Sequence, residues 1–256
     1  MTRIFDALKK AQTSLVSPLN PVPAPLAPPL PVVSPGVAPL APVVRTAPPL
    51  TALPRIDVIR VPALEGQDAR EFSTLHVGLE SAFSHQNTRV VLFTSSQGGE
   101  GTSTVARRFA ALIAAQVGRR VLLADFHAGR PQLSQWMEQE IAHPGPGAVE
   151  LSVLPLPLEA RARGAFAAHL ASPLLAALGG AFDWVVLDGP PVLGAPETVE
   201  LAALADGVVM VVQSGTAKRP VVSRAAGLLR SGGARVLGTV LNRRRHEIPE
   251  FIYRRI

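Results

Sequence analysis

Three apolar runs in this sequence end on residues suited to holding a phosphate and its metal ion. The first, "VVLFTSSQGGEGTST", runs from Val90 to Thr104. Gly98, Gly99 and Gly101 let the backbone curl so that its N–H groups converge. The helical pattern that follows adds the partial positive charge of its N-terminus. Ser103 offers a hydroxyl of the kind that binds Mg²⁺, with Glu100, Thr102 and Thr104 completing the turn. In the loop pattern G-x-x-x-x-G-K-[ST], a lysine reaches the outer phosphates. Here Thr102 takes its place, and Ser96 takes that of the first glycine. The second run, "VLLADFHAGRP", reaches Asp125, and the third, "DWVVLDGPP", reaches Asp188. A single Asp at a strand end is commonly a turn or cap residue. Two of them beside a glycine-rich turn supply the oxygen ligands that Mg²⁺ and its waters require.

These residues need a scaffold that brings strand ends together. Strand-like runs at 89–94, 120–125, 149–155, 184–188, 207–213 and 235–242 alternate with helical patterns near 103–117, 163–178, 196–204 and 218–231. A further helical spacing joins Phe72, Leu75, Leu79 and Phe83. Strands apolar on both faces belong in a parallel sheet covered by helices, so the fold expected is a doubly wound, mostly parallel α/β domain. Ligands in such a fold sit at the carboxyl ends of the strands. The domain is expected over 56–256. A short docking helix is expected over 1–12, with Ile4, Leu8 and Ala11 on one face, and a proline-rich disordered linker over 13–55. The segment 19–44 carries no charge but is crowded with prolines. It therefore cannot satisfy its backbone groups in lipid, and reads as an extended linker. "MTRIFDALKKAQ" has its lysines after its apolar residues, the wrong order for a secretion signal. The absence of cysteine excludes disulfides and thiolate metal sites. The net charge of +6 is modest, and nucleic acid is not an expected partner.

The combined set resembles the bacterial tyrosine kinases of polysaccharide export (BY-kinases), in the MinD/ParA-like branch of P-loop ATPases. "SSQGGEGTST" resembles their Walker A loop, "VLLADFHAGRP" Walker A′ and "DWVVLDGPPVLG" Walker B. "ADGVVMVVQSGTAKR", "VLGTVLNRRR" and the opening "MTRIFDALKKAQ" are similar to further segments of the family. The resemblance implies ATP and Mg²⁺ as cofactors. It implies nucleotide contacts from Gly98, Gly99, Glu100, Gly101, Thr102, Ser103 and Thr104, and an adenine contact from Asn242. It also implies Mg²⁺ held by Ser103, Asp125 and Asp188, with Asp125 as the catalytic carboxylate.

The departures from the family pattern are specific. Thr102 stands for the loop lysine, and His127 for the second carboxylate of D-x-D. The subunit-contact pattern E-x-x-R-x-x-R falls on Arg70, Ser73 and His76, all changed, and the stretch 131–148 is short. The family's C-terminal tyrosine cluster is reduced to Tyr253. We therefore expect a degenerate kinase that binds Mg-ATP weakly and hydrolyses little or none. It would serve as a regulatory or scaffold subunit of exopolysaccharide or capsule export. The expected partner is a Wzz-like chain-length-determinant membrane protein, with a homo-oligomer or an active kinase as further associations. The expected location is cytoplasmic, peripheral to the inner membrane through that partner. Two alternatives stand beside it. One is an active ATP-dependent tyrosine kinase or ATPase in which Arg107 or Arg108 replaces the lysine. The other is a MinD/ParA-like positioning ATPase whose basic end, "NRRRHEIPEFIYRRI", touches anionic lipid.

Overall fold

A computed structural model describes residues 56–83, 88–116, 118–127, 147–155, 175–178 and 180–243. The docking helix and linker expected over 1–55 lie outside the described residues. So do 131–146, most of the helix expected at 163–178, and the basic end with Tyr253.

The elements run β1 (Asp57–Val61), α1 (Gly66–Ala82), β2 (Arg89–Ser95), α2 (Thr102–Ala114), β3 (Val121–Asp125) and β4 (Val149–Pro155). They continue with β5 (Trp184–Asp188), α3 (Glu197–Leu204), β6 (Gly207–Gln213), α4 (Arg219–Ser231) and β7 (Val236–Asn242). The strands form one seven-stranded sheet in the order β1-β4-β3-β5-β2-β6-β7. Every pairing is parallel except β1 with β4. After β2 the chain builds outward to one side through β3 and β4. It returns through β5 and then crosses to the other side of β2 for β6 and β7. The carboxyl ends of β2, β3 and β5 therefore open onto one crevice, the place where such sheets bind ligands.

The expected mostly parallel architecture is present, with one added strand. "DVIRV" at β1 is short and charged, and only Ile59 and Val61 are buried. Its period of two marks an edge strand with one wet face, which a search for continuous apolar runs passes over. On that wet face Arg60 pairs with Glu150 at 3.6 Å, an exposed pair of small energetic weight.

The central strands are buried on both faces because helices cover both. Along β5, Trp184 and Val186 join α1 and α2 residues such as Leu79, Phe109 and Ile113. Val185 and Leu187 join Leu201 of α3 and Ala225 and Leu229 of α4 on the other face. Trp184 anchors the first layer, with Phe83 and Phe109 edge-on to it at 5.9 and 5.6 Å.

His76 of α1 lies in this aromatic layer, 5.5 Å from Trp184 and 6.2 Å from Phe109. Gln116 Nε2 sits 3.2 Å from its Nδ1, the geometry of an amide donating to the ring. Burial pushes the imidazole below its ordinary value, and Arg119 and Arg89 act in the same direction against Glu80. Of the three positions aligned with the subunit-contact pattern, Arg70 and Ser73 are exposed while His76 is a core residue.

Two predictions follow from this packing. The unfolded chain takes up a proton on His76 near pH 6.5, and the folded chain resists it. Stability should therefore be full above that pH and fall as pH drops below it. In urea melts from pH 5 to 8, His76→Leu should flatten the acid-side slope, and an unchanged slope would place the titration elsewhere. In the same melts Phe109→Ala should cost about 3–5 kcal/mol, while truncating the exposed Leu241 to Ala should stay within about 0.5 kcal/mol.

Candidate nucleotide and metal site

The loop after β2 is shaped by its glycines and tied by its own side chains. Gly99 and Gly101 adopt φ of 88° and 89°, the left-handed region. Gly101 is the N-cap of α2 and brings no side-chain cap, so no side chain covers the N–H groups of the first turn at that position. A Cβ on Gly101 would run into the Asn242 side-chain amide, so close approach as well as φ requires glycine here. The buried Glu100 folds back over the turn. Its Oε2 accepts from Ser96 Oγ at 2.9 Å and from the Gln97 N–H at 2.9 Å. Ser96 thus has a role where the loop pattern has glycine: it holds that carboxylate.

The end of β7 closes the loop from the other side. Asn242 Nδ2 donates to the Glu100 carbonyl at 2.9 Å, and its Oδ1 accepts from the Arg243 N–H at 2.9 Å. Arg243, at φ 55°, donates through Nη1 to the Gly99 carbonyl at 3.1 Å and to Gln213 Oε1 at 3.2 Å. The sequence singled out Asn242 but not Arg243. The signal for the arginine was the run "NRRR", read as the start of a basic tail rather than as the end of a strand.

Asp125 and Asp188 are register partners on β3 and β5, and both are buried. The Asp125 Oδ1 accepts the His127 N–H at 2.8 Å, which bends the chain just past β3. That turn brings the His127 ring back over the carboxylates, with Nδ1 3.4 Å from Asp125 Oδ1 and 3.7 Å from Asp188 Oδ1. Burial pushes the Asp188 carboxyl up to about 6, against His127, and Asp125 adds to the rise. A hydrogen bond from the Ser103 side chain and the charge of Arg107 pull the other way. Asp188 Oδ1 has no hydrogen-bond partner among the described residues. Ser103, Asp125 and Asp188 therefore converge as the sequence predicts, and His127 joins them.

The cations are less well placed. Thr102 is buried where the loop lysine would stand. Arg107 donates from Nε to the Ser103 carbonyl at 3.1 Å and bears electrostatically on Asp188. Arg108 is instead turned to Asp68 at 2.7 Å on the exposed side of α2. Thr104 is exposed and lines the groove between α1 and α2, together with Asn242 and Arg243. Gly98 and Gly99 are exposed on the loop's crest.

Ser103, Asp125 and Asp188 are oxygen donors that fit a divalent cation such as Mg²⁺, and Asp188 Oδ1 has no hydrogen-bond partner among the described residues. The glycine turn and the helix N-terminus fit a phosphate chain. A bound Mg-ATP would supply a phosphoryl group activated for transfer. The protein's part would be to position it with loop N–H groups and Ser103, and to hold the ion between Asp125 and Asp188.

Comparison with known proteins agrees with this geometry. No family model matches the sequence. The chain is 25% identical over 203 residues to the tyrosine-protein kinase YwqD of Bacillus subtilis, covering 73% of this chain and 85% of that protein. It is 30% identical over 215 residues to the succinoglycan biosynthesis transport protein ExoP of Rhizobium meliloti, covering 74% of this chain but 26% of that longer protein. Among solved structures, the kinase domain of the Escherichia coli tyrosine kinase Etk superposes with a TM-score of 0.53 at 19% identity, over 71% of this chain and 79% of that one. A plasmid partition protein of Borrelia burgdorferi bound to AMPPNP gives 0.52 at 14% identity, over 66% of this chain and 80% of that one. The chain is thus homologous to bacterial tyrosine kinases, and its domain has the P-loop NTPase fold that they share with ParA/MinD-like ATPases.

The Gly101–Asn242 approach is directly testable. Gly101→Ala should destabilise the domain by about 1–3 kcal/mol through its backbone conformation and the collision. Asn242→Ala in the same chain should recover the collision part but not the backbone part, so the two changes should couple in a double-mutant cycle. Simple additivity in denaturant melts would mean that the two residues do not meet.

Proposed function

We propose that this chain is a bacterial tyrosine kinase relative that retains the nucleotide crevice with weakened Mg-ATP chemistry, and acts as a regulatory or scaffold subunit in exopolysaccharide or capsule assembly. The observation that carries the proposal is Thr102, buried at the first position of α2, beside the loop glycines, Ser103 and the strand-end Asp125 and Asp188. A charge-assisted hydrogen bond is worth about 1.5–3 kcal/mol. Losing it weakens binding roughly ten- to hundredfold, and the effect is larger where charge develops in a transition state. Homology to tyrosine kinases and to a succinoglycan transport protein supports the polysaccharide setting.

Within this proposal the domain spans 56–256. Residues 1–12, carried on the linker 13–55, dock on a Wzz-like membrane protein, which holds the chain at the inner membrane from the cytoplasm. Among the described residues no helix is long and apolar enough to cross a membrane, which agrees with attachment through a partner. Association with further copies or with an active kinase belongs to the same proposal. One observation favours a second reading, an active ATPase: Arg107 bears on Asp188 from α2 and would supply charge at the metal side.

Two measurements test the proposal. Purified protein incubated with Mg²⁺ and ATP should show no phosphotyrosine, and signal on Tyr253 that vanishes in Asp125→Asn would overturn this. In isothermal titration, Thr102→Lys with His127→Asp should bind Mg-ATP at least roughly tenfold more tightly than the natural protein, about 1.4 kcal/mol. The single changes should couple, since both groups face one nucleotide. Tight binding and turnover by the natural protein, reduced by Thr102→Lys, would establish the active reading instead.

A further inference from the structure

We infer that Asp125, His127 and Asp188 form a binding site for a first-row transition-metal dication, selecting Zn²⁺ over Mg²⁺ with Mn²⁺ between them, and that this site needs no nucleotide. The inference uses the same crevice as the proposed function but not its premise.

The geometry is that of a ligand set. One ligand atom from each of the three residues lies within 4.8 Å of the other two. His127 Nδ1 stands 3.4 Å from Asp125 Oδ1 and 3.7 Å from Asp188 Oδ1. A tetrahedral ion with bonds of about 2.0–2.2 Å sets neighbouring ligand atoms about 3.3–3.6 Å apart. An octahedral Mg²⁺ at about 2.0–2.1 Å would set them about 2.9 Å apart. Both histidine separations exceed the octahedral spacing, and the shorter falls in the tetrahedral range that Zn²⁺ takes.

A second observation, independent of the spacing, points into the same volume. Asp188 Oδ1 is buried and lacks a hydrogen-bond partner among the described residues. A buried carboxylate oxygen normally has one, and a cation between it and His127 would supply the missing interaction. The ligand chemistry then sets the preference. An imidazole nitrogen is a poor ligand for Mg²⁺ and a good one for the later first-row ions, whose affinities for mixed nitrogen and oxygen sites rise along the Irving–Williams order. The replacement of a carboxylate by His127 thus changes which ion the crevice prefers and leaves its place unchanged. The His127 ring is held in position from its own backbone, because its N–H bonds the Asp125 oxygen that shares the site.

The test uses the full chain without nucleotide. Zn²⁺ affinity is measured by competition with a metallochromic chelator, and Mn²⁺ and Mg²⁺ affinities by titration calorimetry. The Mn²⁺-loaded protein is also examined for nitrogen coupling by electron spin-echo spectroscopy. Circular dichroism melts confirm that each variant folds. The expected result is one site that binds Zn²⁺ at least about tenfold tighter than Mg²⁺, with imidazole nitrogen coupling in the Mn²⁺ spectrum. His127→Asp should remove the coupling and shift the preference toward Mg²⁺. Asp188→Asn should lower transition-metal affinity by at least about tenfold. Equal affinity for Mg²⁺ and Zn²⁺, or Zn²⁺ binding indifferent to His127→Asp, would overturn the inference. So would absence of binding, which would make His127 an internal counter-cation for the two aspartates.

Discussion

Asp125 and Asp188 face one another across adjacent strands with 0% and 3% of their surface exposed. Two carboxylates this close and this dry repel each other, and burial alone disfavours their charge. A chain selected only for stability would place apolar residues there, as it does at every other position of β3 and β5. The surroundings partly compensate. Ser103 donates to Asp188, His127 turns back over both groups, and Arg107 contributes charge from α2. Ser103 and Arg107 come from α2, and His127 from the turn after β3. The strand order is what brings them together: β5 is inserted between β3 and β2, so that their carboxyl ends adjoin.

The neighbouring loop is organised on a different principle. Its glycines leave backbone N–H groups free of side-chain cover, yet the turn is fixed by Glu100 from within and by Asn242 and Arg243 from β7. The loop is therefore a pre-formed turn with Thr102 at the loop-lysine position and the Arg243 guanidinium against its Gly99 carbonyl. The fold keeps the shape of the turn, and Thr102 stands where the loop pattern has a lysine. In the metal half of the crevice, His127 changes the ligand type while the geometry stays. Both departures sit on an intact scaffold, and this is why exchanging single residues at 102 and 127 is an informative experiment rather than a test of folding.

Much of this was legible in the sequence because the signals were local and physical. Apolar runs on β2, β3, β5 and β6 announce buried parallel strands. The spacing of Gly98, Gly99 and Gly101 before a helical pattern announces an anion-binding turn. Asp125 and Asp188 at the strand ends mark the crevice. What was not legible depends on long-range contact. The edge strand β1 has too few apolar residues to stand out, and its partner β4 lies about ninety positions along the chain. Arg243 reaches the loop only because β7 ends beside it. The role of Ser96 needs the folded position of Glu100. His76 looked like one changed position of a subunit contact, whereas packing against Trp184 and Phe109 decides it. His127 was visible as a departure, but its return over both carboxylates was not.

The central claim is that the domain retains a buried carboxylate at a cost to its stability because the crevice is a cation site. The folded chain holds the Asp188 proton up to about pH 6, while the unfolded chain releases it near 3.8. Stability contributed by this group therefore falls across that window and stays lower above it. The most direct measurement is thermal melting of the natural protein and of Asp188→Asn at pH 7.5 in the presence of a strong chelator. The variant should melt higher, by on the order of 5 °C, since it removes a charge disfavoured by burial. A variant that melts several degrees lower would contradict the account, because Asp188 would then be a structural anchor for β5 and the Ser103 turn rather than a ligand held ready for a cation.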